Sequence, residues 1–175
     1  MARISLILFM ILLGLSCTEP ESLEYDTPLR SDAAVRARLA SACRESIERN
    51  RPLLLEFSAP WCTDCQLLHT MKQRGALARE LARWPAVVVN VNQFDRNVEL
   101  LAAFGVERIA HWAVLAPRDC DRPAETWPRL VQQTLEPKSG AERGTPPDEI
   151  ARWLVALREG QTQGQLAESP PVPAQ

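Results

Sequence analysis

Phe57-Ser58-Ala59-Pro60-Trp61-Cys62-Thr63-Asp64-Cys65 decides the fold, because it puts two thiols three positions apart directly after the apolar run Pro52-Leu53-Leu54-Leu55-Glu56-Phe57. The run predicts a strand over Leu53–Phe57, and Cys62 then opens a helix. At a helix N-terminus, unpaired N–H groups and the positive end of the helix dipole favour a thiolate. A thiolate is the nucleophile of thiol–disulfide exchange, and a second thiol at i+3 can resolve the mixed disulfide.

Outward from this segment, Ser31 predicts the N-cap of a helix to about Arg49, with Val35, Leu39, Ala42 or Cys43, and Ile47 on its buried face. The helix from Cys62 turns Leu67, Leu68 and Met71 inward until Gly75 bends or breaks it, and a second helical stretch covers Ala76 to Arg83. The valine-rich run Ala86–Val91 reads as a strand covered on both faces. A polar loop, Asn92–Asn97, leads to a short helix over Val98–Phe104 with Gly105 as its stop. Strands follow at His111–Leu115 and Leu130–Leu135, and Arg118–Arg129 between them, with three acidic residues and two prolines, reads as a long loop. Thr145-Pro146-Pro147-Asp148 opens a last helix that buries Ile150, Trp153, Leu154 and Leu157. The order α-β-α-β-α-β-β-α predicts an α/β fold, with a central mixed sheet of about four strands flanked by helices on both faces.

At 175 residues the chain holds one domain with a sizeable core. Its composition is that of a globular protein, 46% hydrophobic and 24% charged, and the net charge of −2 with no basic patch excludes nucleic acid as a partner. The first 17 residues fall outside the domain. Arg3 and the apolar run Ile4–Leu15 read as a secretory signal that ends in Leu15-Ser16-Cys17. Its end resembles a bacterial lipobox, in which Cys17 becomes the lipidated first residue, although Gly14 stands where an aliphatic residue is usual. The alternatives are simple cleavage or an uncleaved anchor. Each places the domain outside the cytoplasm, where disulfides persist. Thr18 in place of the aspartate tied to inner-membrane retention favours the outer membrane. Residues 18–30 read as a flexible tether, 31–159 as the domain, and the Gln/Pro-rich 160–175 as a disordered tail.

The element order, with Trp-Cys-x-x-Cys at the end of the first strong strand, resembles the thioredoxin superfamily. The resemblance covers Ser31 to Glu159 by pattern and is concentrated in Glu56–Cys65. It implies that Cys62 attacks, Cys65 resolves, and Glu56, a buried acid beneath Cys65, handles its proton. Glu56 shares a strand face with Leu54, which agrees with burial. The family faces its cysteines with a cis-proline, usually after Gly-Val-x-x-Ile. Here Gly105-Val106-Glu107-Arg108-Ile109 leads to Ala110. A cis bond before a non-proline residue costs about 2.5–4 kcal/mol, so a trans peptide is expected. Trp61, Ile109 and Ala110 would form the substrate-docking surface. Subgroups with short helices after the motif, including reductase domains of bacterial envelope electron relays, look most similar.

The resemblance implies a thiol–disulfide oxidoreductase of the cell envelope. It needs no cofactor, acts on protein disulfides, and is re-reduced by a membrane-bound electron donor. Asp64 in the first helical turn complements the dipole but opposes the Cys62 thiolate, which predicts a reducing or intermediate couple. The rival from another class is a non-enzymatic binding module holding copper or zinc through Cys62, Cys65 and His111, with or without His69. The plainest rival is a structural disulfide in a degenerate domain. Five cysteines, at 17, 43, 62, 65 and 120, do not read as a disulfide scaffold. Cys43 reads as a buried, inert thiol. Cys120, between Asp119 and Asp121, reads as exposed, and could pair with Cys43 or act as a third redox thiol. Trp84, Trp112, Trp127 and Trp153 are packing residues.

Overall fold

A computed structural model describes residues 27–137 and 144–162. The signal segment with Cys17, most of the tether and most of the tail lie outside the described residues. The elements are α1 (Asp32–Glu48), β1 (Leu53–Ser58), α2 (Thr63–Lys72), α3 (Gly75–Leu81), β2 (Ala86–Asn90), α4 (Val98–Phe104), β3 (His111–Leu115), a 3-10 turn (Ala124–Thr126), β4 (Arg129–Thr134) and α5 (Pro147–Thr162). Helix α5 therefore carries residues 160–162, which the composition had assigned to the tail. No described helix is long and apolar enough to cross a membrane.

The four strands form one mixed sheet in the order β2-β1-β3-β4. Strand β1 pairs parallel with β2 and antiparallel with β3, and β3 pairs antiparallel with β4. All six residues of β1 are buried, as a central strand covered on both faces requires. Side-chain alternation divides the core in two. Leu53, Leu55, Phe57, Val87, Val89, Ala113 and Leu115 pack with α1 and α4. Leu54, Trp112 and Val114 pack with Leu68 of α2, Leu77 of α3, and Ile150 and Leu154 of α5.

Two expectations change here. Strand β2 lies at the sheet edge, so Ala86 is exposed and Val88 half-buried, where a strand covered on both faces was expected. Its valine run reflects β-propensity and one buried face. On α1, Ile47 is 45% exposed, and the buried set is Val35, Leu39, Ala42, Cys43 and Ser46. Ser46 donates its hydroxyl to the Arg51 carbonyl, which lets a polar residue face the core at the helix end.

The helix signals hold. Ser31 Oγ accepts from Ala34 N at 3.3 Å. Gly105 ends α4 in the left-handed region (φ +59°) and donates to Ala102 O at 3.1 Å. Helix α3 is tied to α5 by buried Glu80, whose Oε1 accepts from Arg158 Nε at 2.7 Å and Trp84 Nε1 at 3.0 Å. Burial alone would raise the Glu80 pKa. The hydrogen bonds from Arg158 and Trp84 and the nearby arginine charges overcome it and hold the carboxyl below its ordinary range.

Candidate active site

Strand β1 ends at Ser58, and the chain turns through Ala59-Pro60-Trp61, with Cys62 N donating to Ala59 O at 3.2 Å. Cys62 is the N-cap of α2. Its Sγ accepts from Cys65 N at 3.2 Å, while its carbonyl accepts from Gln66 N at 3.0 Å. Cys62 and Cys65 are disulfide-bonded, with Cα atoms 5.2 Å apart. Cys65 is sealed at 0% exposure. Cys62 keeps 7%, much less than the open thiol expected from sequence, yet it is the accessible member. The turn that makes Cys62 the helix cap also brings it into the packed cluster that includes Ala110 and Trp112.

Glu56 lies between Val88 of β2 and Trp112 of β3 and is 2% exposed. Strand alternation turns it to the α2 side, opposite Leu55 and Phe57. Its Oε2 accepts from Lys72 Nζ at 2.6 Å, and its Oε1 is buried with no hydrogen-bond partner among the described residues. Lys72 was not visible as a site residue from sequence. The signal was its place seven after Cys65, on a face that also carries Leu68. His69 shares this neighbourhood. Its pKa is lowered, first by burial and then by the Lys72 charge, with Glu56 pulling the other way.

Trp61 is 47% exposed, donates Nε1–H to Asn92 O at 2.6 Å, and tilts against Phe94 with ring centroids 6.1 Å apart. Ile109 packs on both core clusters. The Ile109–Ala110 peptide is cis, where a trans bond was expected. The intrinsic preference is overridden by tertiary context: Ala110 is fully buried and its carbonyl accepts from Leu135 N at 2.7 Å.

The metal set is not assembled. His111 stands on the α1/α4 side of the sheet, with its ring 6.1 Å from that of Phe57 and Nδ1 3.2 Å from Thr134 Oγ1. Cys62 and Cys65 pack on the other side with Trp112. Among the described residues no group of three or more His, Cys, Asp or Glu is placed to hold a metal. Burial lowers the His111 pKa from its ordinary 6.5. Its unfolded form therefore binds a proton more readily than the folded one. Its contribution to stability is intact above pH 6.5 and is lost as pH falls through the depressed folded value. Thermal melts across this range should show that decline, and His111→Gln should flatten it.

Cys43 and Cys120 form a second disulfide, Cα atoms 5.7 Å apart. Of the alternatives open from sequence, the inert thiol and the third redox thiol are set aside. Cys120 is half-buried against the core beside α1. Trp84, Trp112 and Trp127 are buried and Trp153 is partly buried, as packing residues should be.

Residues 36–119 match the thioredoxin family model. Over this segment the chain is similar to the thioredoxin family. Among curated proteins no relative matches. A solved disulphide isomerase from Xylella fastidiosa Temecula1 is 24% identical, covers 78% of this chain and 98% of its own, and superimposes with a TM-score of 0.53. The DsbD C-terminal domain of Neisseria meningitidis, in its reduced form, is 16% identical over 75% of this chain and 100% of its own, with a TM-score of 0.55. A thioredoxin from Thermus thermophilus is 20% identical over 74% and 93%, with a TM-score of 0.50. These likenesses establish the thioredoxin-like fold, here with a Cys-x-x-Cys pair at the family's strand-to-helix turn.

Proposed function

We propose that this chain is a thiol–disulfide oxidoreductase of the bacterial cell envelope that reduces protein disulfides. The observation that carries the reading is the Cys62–Cys65 bond at the N-terminus of α2, with the more accessible sulfur at the helix cap. The Cys62 thiolate attacks a substrate disulfide, Cys65 displaces the product, and Glu56 takes the Cys65 proton. Exposed Trp61 and half-buried Ile109 dock the substrate segment, with buried Ala110 behind them. A lipid at Cys17 would hold the domain at the membrane, where a membrane-bound dithiol donor would return the electrons. The signal-like segment before Cys17 supports this placement.

Asp64 sits in the first turn of α2, where its charge opposes the Cys62 thiolate. A thiol that ionises less readily favours the dithiol form less, so the couple should be reducing or intermediate. We expect a potential more negative than about −200 mV, on the thioredoxin side of the known range. Equilibration of the full-length chain with glutathione buffers, read by thiol alkylation, gives this value. A pair that never exchanges with glutathione or insulin would overturn the assignment.

A further inference from the structure

We propose that the Cys62 end of the domain is turned toward the membrane and exchanges with a dithiol that an integral membrane protein carries at the bilayer surface, because the chain enters the fold at that end. This rests on the reading above that Cys17 holds the chain at the membrane.

A buried clasp fixes the entry point. Thr27 is 6% exposed, and its carbonyl accepts from Asn90 Nδ2. Asn90 closes β2 opposite Ser58, the residue from which the chain turns toward Cys62. Asn90 Oδ1 accepts from Asn92 N at 2.8 Å, and Asn92 O accepts from the Trp61 indole at 2.6 Å. One line of hydrogen bonds therefore joins Thr27 to the tryptophan beside Cys62. A buried amide satisfied on both its oxygen and its nitrogen holds its neighbours in one arrangement.

The direction of α1 agrees. The helix packs along β1 and β2 and delivers the chain through Arg51 and Pro52 to Leu53, the start of β1. Its C-terminus therefore lies at the far end of the sheet, where Arg51 Nη1 donates to Arg83 O and Leu54 N to Pro85 O just before β2 begins. Its N-terminus, at Asp32, lies at the Cys62 end.

Chain length limits how far the domain can turn. Ten residue steps separate Cys17 from Thr27. They reach at most about 35 Å when fully extended, and a flexible chain of this length averages about 16–19 Å. The 17 residues of α1 alone span about 25 Å from the Cys62 end to the far end. To lay its far end on the bilayer, the domain would have to hold Thr27 at least that distance away, well beyond the average reach.

The same end carries the apolar surface. Four large apolar side chains are exposed among the described residues: Leu29, Trp61, Val98 and Ile47. The first three stand at the Cys62 end and only Ile47 at the far end. Phe94 tilts against Trp61 and lines a shallow groove with Val98, Leu101 and Val106. Arg30 and Arg96 stand at this end among Asp64, Asp95 and Glu99, so the charges are mixed in sign. Anionic headgroups are recognised by clustered cations, whereas apolar side chains within a mixed-charge rim suit a protein surface.

In the exchange, a donor thiolate attacks the Cys62 sulfur and the Cys62–Cys65 bond breaks. Cys65 leaves as a thiolate and takes a proton. The second donor thiol gives up its proton and attacks the donor sulfur of the mixed disulfide. Cys62 leaves as a thiolate and takes a proton in turn. The donor dithiol becomes a disulfide, and the pair gains its two electrons and two protons.

The test places the full-length chain on phosphatidylcholine vesicles whose headgroups carry nitroxide, with a reporter tryptophan at either end, Val98→Trp or Ile47→Trp. Val98→Trp should add several-fold more quenched fluorescence than Ile47→Trp. Equal or reversed quenching overturns the proposal. A second readout adds to unlabelled vesicles a membrane-spanning peptide with a Cys-x-x-Cys dithiol at headgroup level. It should reduce Cys62–Cys65 about 10²-fold faster than the same dithiol free in solution at equal bulk concentration. Inserting 24 prolines between Thr18 and Glu19, a spacer of about 70 Å, should return the rate to that of the free dithiol. A rate advantage that survives the spacer, or none in the wild-type chain, also overturns the proposal. A chain made in a bacterial envelope without lipid at Cys17 would overturn the lipid placement. The orientation is then read with a maleimide phospholipid attached at Cys17 of the oxidised chain, because the other four cysteines are paired with one another. Failure of the wild-type chain to reduce insulin would instead overturn the oxidoreductase reading.

Discussion

Cys62→Ser should reduce insulin turnover to the rate of the reductant alone, with little change in the fold. Serine is among the best N-cap residues, so its hydroxyl can take over the bond that Cys62 Sγ accepts from Cys65 N at 3.2 Å. The first turn of α2 should survive, and the loss can be assigned to the sulfur. A hydroxyl is not ionised at neutral pH and cannot form a mixed disulfide. Cys65→Ser should behave differently. The attacking sulfur remains, the resolving one is gone, and a Cys62–substrate disulfide should accumulate as a species visible by mass. Glu56→Gln should fall between them. Attack should proceed, and resolution should slow by about 10²-fold, the low end of what a positioned acid–base group contributes. Retained turnover in Cys62→Ser would show that the pair does not carry the reaction. A trapped adduct on Cys62→Ser and none on Cys65→Ser would exchange their roles. Each comparison is made against the reduced wild-type chain, because the variants lack the Cys62–Cys65 bond.

Much of this site was legible in the linear sequence because its parts are local. Glu56, the turn and both cysteines occupy ten consecutive residues, so strand alternation and helix capping position them with little outside help. The bounds of α4 and β3 were read correctly for the same reason: each is a short apolar element closed by its own signals, such as Gly105. What escaped is long-range. The edge position of β2 depends on which strand pairs with β1, and its valine run is compatible with either place. The side taken by His111 could not be read, since both faces of β3 are buried and parity alone does not say which face meets α2. The cis peptide before Ala110 reflects packing and the bond to Leu135, 25 residues on, not a local preference. Lys72 joins Glu56 across a sequence separation of 16. A lysine on an inward helix face was the one clue, and it points to a buried anion only once the helix has a strand beneath it.

Replacing Cys43 and Cys120 together by alanine should lower unfolding free energy by about 2–5 kcal/mol and leave the Cys62–Cys65 chemistry intact. The bond joins residues 77 apart, so its loss frees a large loop in the unfolded chain. It also removes the covalent tie between α1 and the long connection from β3 to β4. Most polar contacts in that connection are internal: Trp127 Nε1 donates to the carbonyls of Asp119 and Arg122, and Asp121 N to Asp119 Oδ1. Outside ties include Arg36 to Glu125 and the packing of Ala124 and Trp127 on the core. Strand β3 runs antiparallel to β1, with His111 opposite Phe57 and Leu115 opposite Leu53. The connection therefore leaves the sheet at the end away from Cys62, and cutting its staple should not reach the redox pair. Chemical denaturation of the oxidised variant and wild type should show a lower midpoint, with a steeper slope for the variant because its unfolded chain is less compact. Insulin reduction at a temperature where both stay folded should be equal. A shift below about 0.5 kcal/mol, within the ordinary range of surface substitutions, would mean that the second bond does not stabilise the domain. Equal stability with lost insulin reduction would instead make Cys43 and Cys120 part of the electron path, despite their place at the far end of the sheet.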